Sequence, residues 1–214
     1  MTARLPGVLE PVQDAAGLLA RIEREERMAE GLHIRGADLS ETRYEGLRLH
    51  GVLFEDCRLT GARWHGADLG DTAFRRCELS GSDWSGGFFS RVDFAECKAV
   101  GVNFPESGWR QARFEGCALS CAGFDYARLR DVAFARCDLG QATLNECQWK
   151  NLTFEQTRLC AACFLHTPLA GLDLTSCELD GLTVSDTNAE LRGALVTPMQ
   201  AAGLAKRLGL IVVD

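Results

Sequence analysis

A chain of 214 residues with 46% hydrophobic content is sized for one domain with a substantial core. Its formal net charge of −7 argues against nucleic acid as a direct partner, because phosphate binding wants a basic surface. No apolar run reaches the roughly eighteen residues of a membrane span, and the start MTARLPGVLEPVQD lacks the basic-then-apolar layout of a secretory signal, so a cytoplasmic protein without a membrane partner is expected.

The first predicted element lies within residues 1–31. Pro11 suits a first helical turn, and Val12, Ala15, Ala16, Leu19 and Ile22 share one face, which predicts an amphipathic helix.

From Ile34 the chain changes character. Every fifth residue as far as Ala189 is apolar, thirty-two positions in one unbroken frame. Two residues before each lies a second uncharged set: Ala37, Thr42, Leu47, Val52, Cys57, Ala62 and onward to Thr187. Two inward positions separated by an outward one describe a short strand, and the two remaining residues, often Gly, Ser or Asp, turn a corner. Each pentapeptide is then one side of a coil. A longer echo fixes how many sides there are, since FEDCRL at 54–59 returns as FRRCEL, FAECKA, FEGCAL and FARCDL at twenty-residue steps. Four sides therefore close a turn, and like side chains stack. The first column holds Phe54, Phe74, Phe94, Phe114, Phe134 and Phe154; the second holds Leu59, Leu79, Leu119, Leu139 and Leu159 with Cys57, Cys77, Cys97, Cys117, Cys137 and Cys177. The ten cysteines are thus mostly small reduced core residues rather than disulfide partners. Eight coils over 32–190 are expected, with a shaft about 38 Å long at about 4.8 Å per coil.

The last element covers 191–214. Thr197-Pro198 is a helix start; Ala201, Leu204, Ala205 and Leu208 share a face; Gly209 ends the helix before a strand-like Leu210–Val213. Both terminal segments are expected to cap a stack whose ends would otherwise expose backbone and rings.

The Ala-Asp-Leu units at Ala37–Asp38–Leu39 and Ala67–Asp68–Leu69, and Cys137–Asp138–Leu139, resemble the pentapeptide-repeat family over about three quarters of the chain. That resemblance implies an all-β, right-handed quadrilateral β-helix with a packed interior, here with N-terminal and C-terminal helical caps. The tail, with Gln200-Ala201, Leu204 and Leu208-Gly209-Leu210, resembles the quinolone-resistance branch of the family. It implies a homodimer joined through Ala201, Leu204, Ala205, Leu208 and Leu210, forming a rod that imitates duplex DNA and binds DNA gyrase or topoisomerase IV. The alternative is a structural or interaction rod with an unrelated protein partner. No loop interrupts the frame, whereas some family members that protect topoisomerases from quinolones carry one.

The outward residues divide unevenly. The Tyr44–Trp64–Trp84 side carries six acids against two bases, and beyond Arg63 only acids: Asp83, Glu106, Asp125, Glu146 and Asp186. These are the expected partner-binding row. The Leu49–Leu69–Phe89–Trp109 side reverses the balance, with Arg48, Arg91, Arg110, Arg128, Arg130 and Lys150 against three acids. Cys160, Cys163 and His166 have metal-like spacing, but the frame sets Cys160 on one side and the other two on the next, so neither a metal nor a cofactor is expected. A fold without a cleft also offers no place for catalytic groups to converge, and an enzyme is not expected.

Overall fold

The computed structural model describes residues 3–211, and for Leu208 the backbone alone. It is a β-solenoid in which residue i pairs in parallel with residue i+20. Phe54 lies opposite Phe74, Phe74 opposite Phe94, and the register continues through Phe114 and Phe134 to Phe154. Seven turns separate the level of Ile34 from that of Leu174.

The corners explain the period of five. Two positions past each large inward residue from Ile34 to Leu169 the backbone turns left-handed, as at Glu41, Asp56, Arg76, Gly46 and Gly51. A positive φ costs an L-residue roughly 1–2 kcal/mol, which is why glycine recurs at corners although the fold tolerates Arg, Glu and Tyr there. The four sides are not equivalent. On the upper coils two adjacent sides merge into eight-residue strands, Phe88–Ala95, Gly108–Glu115, Arg128–Ala135 and Gln148–Glu155, each bent at its middle. The other two sides are joined by single bridges such as Arg58↔Glu78↔Lys98 and Asp83↔Asn103↔Gly123.

The interior is a set of vertical ladders. Phenylalanine rings stack with centroids 4.8 Å apart and 3° between planes at Phe54–Phe74, which also measures the rise per coil. Cysteine thiols sit beside them and donate to carbonyls of their own coil and the one below, Cys77 to Arg75 at 3.4 Å and Phe54 at 3.5 Å. Thr157 takes the same place with a hydroxyl donating to Glu155 and Phe134. Burial pushes the Cys147 thiol up to about 12, so it stays protonated and unreactive at neutral pH. Where Ala99 interrupts the Leu79–Leu119 ladder, the gap is too small for a water molecule.

Both ends are capped by helices. Helix α1 (Ala15–Arg24) is N-capped by Asp14, whose carboxylate accepts from the Gly17 N–H at 2.9 Å, and it buries Ala15, Leu19 and Ile22 in the core. Two sequence expectations are corrected here. Pro11 and Val12 are not helical: strand Glu10–Val12 pairs with Leu32–Ile34 and extends the Phe side by one level. Ala16 is exposed; what it offers the core is its carbonyl, which accepts from Tyr44 Oη at 3.2 Å. The segment ahead of that strand climbs the outside of the shaft. Pro6 packs at Gly51, where a Cβ would meet its ring at 2.9 Å, while the Arg4 and Ala3 N–H groups donate to Asp71 and Asp93.

Helix α2 (Pro198–Ala205) starts where the sequence places it, with a capping box between Thr197 and Gln200. Among the described residues, no helix is long and apolar enough to cross a membrane.

Candidate protein-binding surface

Many outward charges pair within the shaft. Arg76 clamps Asp56 at 2.8 Å and Glu55 at 2.8 Å from the coil above, Lys98 pairs with Glu78 at 3.0 Å, and Arg158 with Asp138 at 3.0 Å. Arg113 and Arg136 both bind Glu115. Asp71 is nearly buried and accepts from Arg91 Nε at 2.7 Å; these hydrogen bonds hold its carboxyl below the usual range against the opposing effect of burial.

The Tyr/Trp side carries no Lys or Arg beyond Arg63. Glu106, Glu146 and Asp186 are exposed, and their side chains form no ion pair among the described residues. Asp83 and Asp125 are half-buried and turned to local hydrogen bonds, Asp83 with the Ser85 N–H at 3.0 Å, Asp125 with Thr143 Oγ1 at 2.8 Å and the Asn145 N–H at 2.9 Å. The five predicted carboxylates share this side of the shaft but not one row. Glu106 and Glu146 stand two coils apart on a corner ladder whose left-handed turns end at His166, short of Asp186; Asp125 is on the neighbouring ladder, and Asp83 on a third, bridged to Arg63 and Asn103. A period of five assigns a residue to a side; the three outward positions within each pentapeptide make separate ladders, and that distinction was available in the spacing. Tyr126 is also exposed on the corner ladder, between Glu106 and Glu146.

At the far end, α2 covers the last coil only in part. Leu204 packs on the core with Leu191, Ala194 and Val196. Ala205 is half-buried, whereas Ala201 and Leu210 are exposed and so are Met199 and Ile211. The Leu208 side chain and Val212–Val213 lie outside the described residues, and Leu210–Ile211 form no strand. An apolar groove of about 530 Å³ runs between α2 and the last coil, past Leu179, Leu182, Met199 and Leu204. Two polar side chains hold the helix in place. Gln200 Nε2 donates to the Leu174 and Cys177 carbonyls at 2.8 and 2.7 Å, and Arg207 donates to those of Leu182 and Val184 at 2.7 and 3.1 Å. Together they satisfy carbonyls that a further coil would otherwise bind.

Cys160 is half-buried and directed to Glu178 at 3.8 Å, Cys163 lies on the next side between Thr143 and Thr183, and the His166 N–H binds Glu190. Among the described residues no three His, Cys, Asp or Glu side chains converge as a metal site.

Comparison with known proteins gives the following. Residues 88–164 match the family model described as pentapeptide repeat region, and residues 48–83 the one described as pentapeptide repeats, together just over half of the chain. A search of curated proteins finds no match. Among solved structures, full-length QnrB1, a plasmid-mediated fluoroquinolone resistance protein, aligns at 20% identity over 83% of this chain and 100% of its own, with a TM-score of 0.49. HetL, a pentapeptide repeat protein involved in heterocyst differentiation regulation in Nostoc sp. strain PCC 7120, aligns at 17% identity over 84% of this chain and 96% of its own, with a TM-score of 0.47.

Proposed function

The chain belongs to the pentapeptide-repeat family, and from that premise we propose that it is a non-enzymatic binding protein whose acidic side occupies the duplex-DNA site of a type II topoisomerase, DNA gyrase or topoisomerase IV. The observation that carries this reading is the charge of that side, which has no Lys or Arg beyond Arg63. Cations of neighbouring coils neutralise Asp56, Glu78, Glu115 and Asp138, while Glu106, Glu146 and Asp186 stand exposed without such partners among the described residues. At about 4.8 Å per coil Glu106 and Glu146 are about 10 Å apart, with Asp125 at the level between them and Asp83 below, sparser than the roughly 3.4 Å per phosphate of one DNA strand. Such a surface competes for a basic, DNA-shaped groove by charge and width.

Two shafts joined end to end through α2 would double the length of that side. The exposed Met199, Ala201 and Leu210 and the groove beside Leu204 support a homodimer there. Light scattering tests it: the wild type runs as a dimer and Leu204→Asp or Leu210→Asp as a monomer, whereas a wild-type monomer removes the dimer.

The functional test is gyrase supercoiling. Micromolar protein inhibits it, less so as salt rises, and Glu106→Lys with Glu146→Lys abolishes the effect. No inhibition by the folded wild type would count against a topoisomerase partner and favour an interaction rod for another protein, a reading that the basic wall independently supports. Quinolone resistance is a further outcome to score in cells carrying the protein.

A further inference from the structure

The basic wall adjoins the acidic side across one corner and is a site of a different kind. Register pairs Ser90 with Arg110, Arg110 with Arg130 and Arg130 with Lys150, so three cations stand directly above one another on consecutive coils. Arg128 shares the outward face of its strand with Arg130, and all four are exposed. Arg130 reaches Asp131 at 3.7 Å, while Arg110, Arg128 and Lys150 form no ion pair among the described residues. Like charges opposed on neighbouring strands repel, so this ladder costs the free protein stability that an anionic partner would restore.

At the lower end of the ladder lies an aromatic notch. Phe88 is 48% exposed with its ring over Gly108, where a Cβ would come within 3.0 Å of Cδ2. Tyr126, 56% exposed, stands on the adjoining corner. Between them a notch of about 600 Å³ is floored by Gly86, Gly87, Ser107 and Gly108, with Glu106 and Arg128 at its rim.

We infer that this wall docks an acidic α-helix of a partner protein, lying along the shaft with one large apolar side chain in the notch and carboxylates against Arg110, Arg130 and Lys150. The spacing selects a helix. Residues three or four apart rise about 4.5–6 Å and residues seven apart about 10.5 Å, close to one and two coils at the 4.7 and 4.8 Å steps of the Phe ladder beside it. Same-face residues of an extended strand fall about 6.6–6.8 Å apart and lose step with the cations. Charge selects a short partner. A long polyanion would extend past the cations over Asp68, one coil below Phe88, and be repelled by a protein of net charge −7, whereas a helix confined to the notch and three coils meets the cations first.

The experiment is fluorescence anisotropy with the full-length protein and a labelled helical peptide of about four turns, carrying Leu and then Glu one, two and three turns later. Saturable, salt-sensitive binding is expected. Arg110→Ser with Arg130→Ser weakens it about tenfold, each exposed pair contributing a few-fold. Phe88→Ala or Lys150→Ser weakens it less, and Glu146→Gln leaves it unchanged. Near-ultraviolet circular dichroism checks that the variants, all outward-facing, remain folded. No saturable binding, equal binding of the peptide with Gln for Glu, or preferential Arg110-dependent binding of a single-stranded oligonucleotide would each overturn the inference. None of these results bears on the acidic side, so the supercoiling test is independent.

Discussion

The indole N–H of Trp84 donates to Ser82 Oγ at 2.7 Å, and that hydroxyl donates onward to the Leu79 carbonyl at 2.7 Å, all fully buried. Ser107 serves Trp109 in the same way, and Thr42 serves Trp64. The small inward residue two positions before Trp84 and Trp109 is therefore a hydrogen-bonding partner as well as a spacer, whereas Trp64, preceded by Ala62, draws its acceptor from the coil below. Ser82→Ala leaves the indole N–H without an acceptor, at a cost of about 1–3 kcal/mol. Ser82→Thr is expected to recover most of this in urea denaturation, because a threonine already fills the role at position 42.

Phe94 stacks between Phe74 and Phe114, 4.8 and 4.7 Å from each. Phe94→Ala opens a void in a column whose neighbours are held in register by the backbone, so collapse is limited and a loss of about 3–5 kcal/mol is expected. Phe94→Leu should lose less, and a calorimetric melt would rank the two.

The cap at the far end depends on two polar side chains. Gln200→Ala removes a capping-box member and both donors to the Leu174 and Cys177 carbonyls, and is expected to cost about 1–2 kcal/mol. Because coils contact only their neighbours, the loss should be local. Hydrogen exchange would rise over 169–184 and stay unchanged near Trp84.

Acid sensitivity has two opposing sources. The carboxyl of Asp71 titrates lower folded than unfolded because of Arg91, so its contribution is present above about pH 4 and is lost as pH falls through the folded value. Asp93 is raised by burial, so its protonation on acidification favours the native state. Asp71→Asn should lower stability at pH 7 and flatten the decline below pH 4, as followed by circular dichroism at fixed urea.

The repeat made the shaft legible because its cause is local and periodic: a left-handed corner every five residues and an inward pair between corners leave an uncharged frame in the sequence. Residues such as Phe94 and Cys97 could be placed by counting. The ends could not be read in that way. Pro11 and Val12 fit a helical face as well as a strand, and the choice was made by the open edge at Leu32–Ile34, a tertiary partner. Gln200 and Arg207 bind backbone carbonyls, which have no side-chain signature. The acidic residues were assigned to the right side by period, but their division among three ladders required the finer count within each pentapeptide. The notch at Phe88 escaped because it is defined by what Gly86, Gly87 and Gly108 lack.

The parallel register at twenty residues has a genetic consequence. Phe94 and Phe114 occupy the same place one level apart, so excising a span of twenty residues anywhere inside the shaft brings together cut ends that already superpose. Length is thus quantised and editable. A gene for such a molecule can drift longer or shorter by whole cassettes, carrying its two lids unchanged, until the ruler fits whatever it measures.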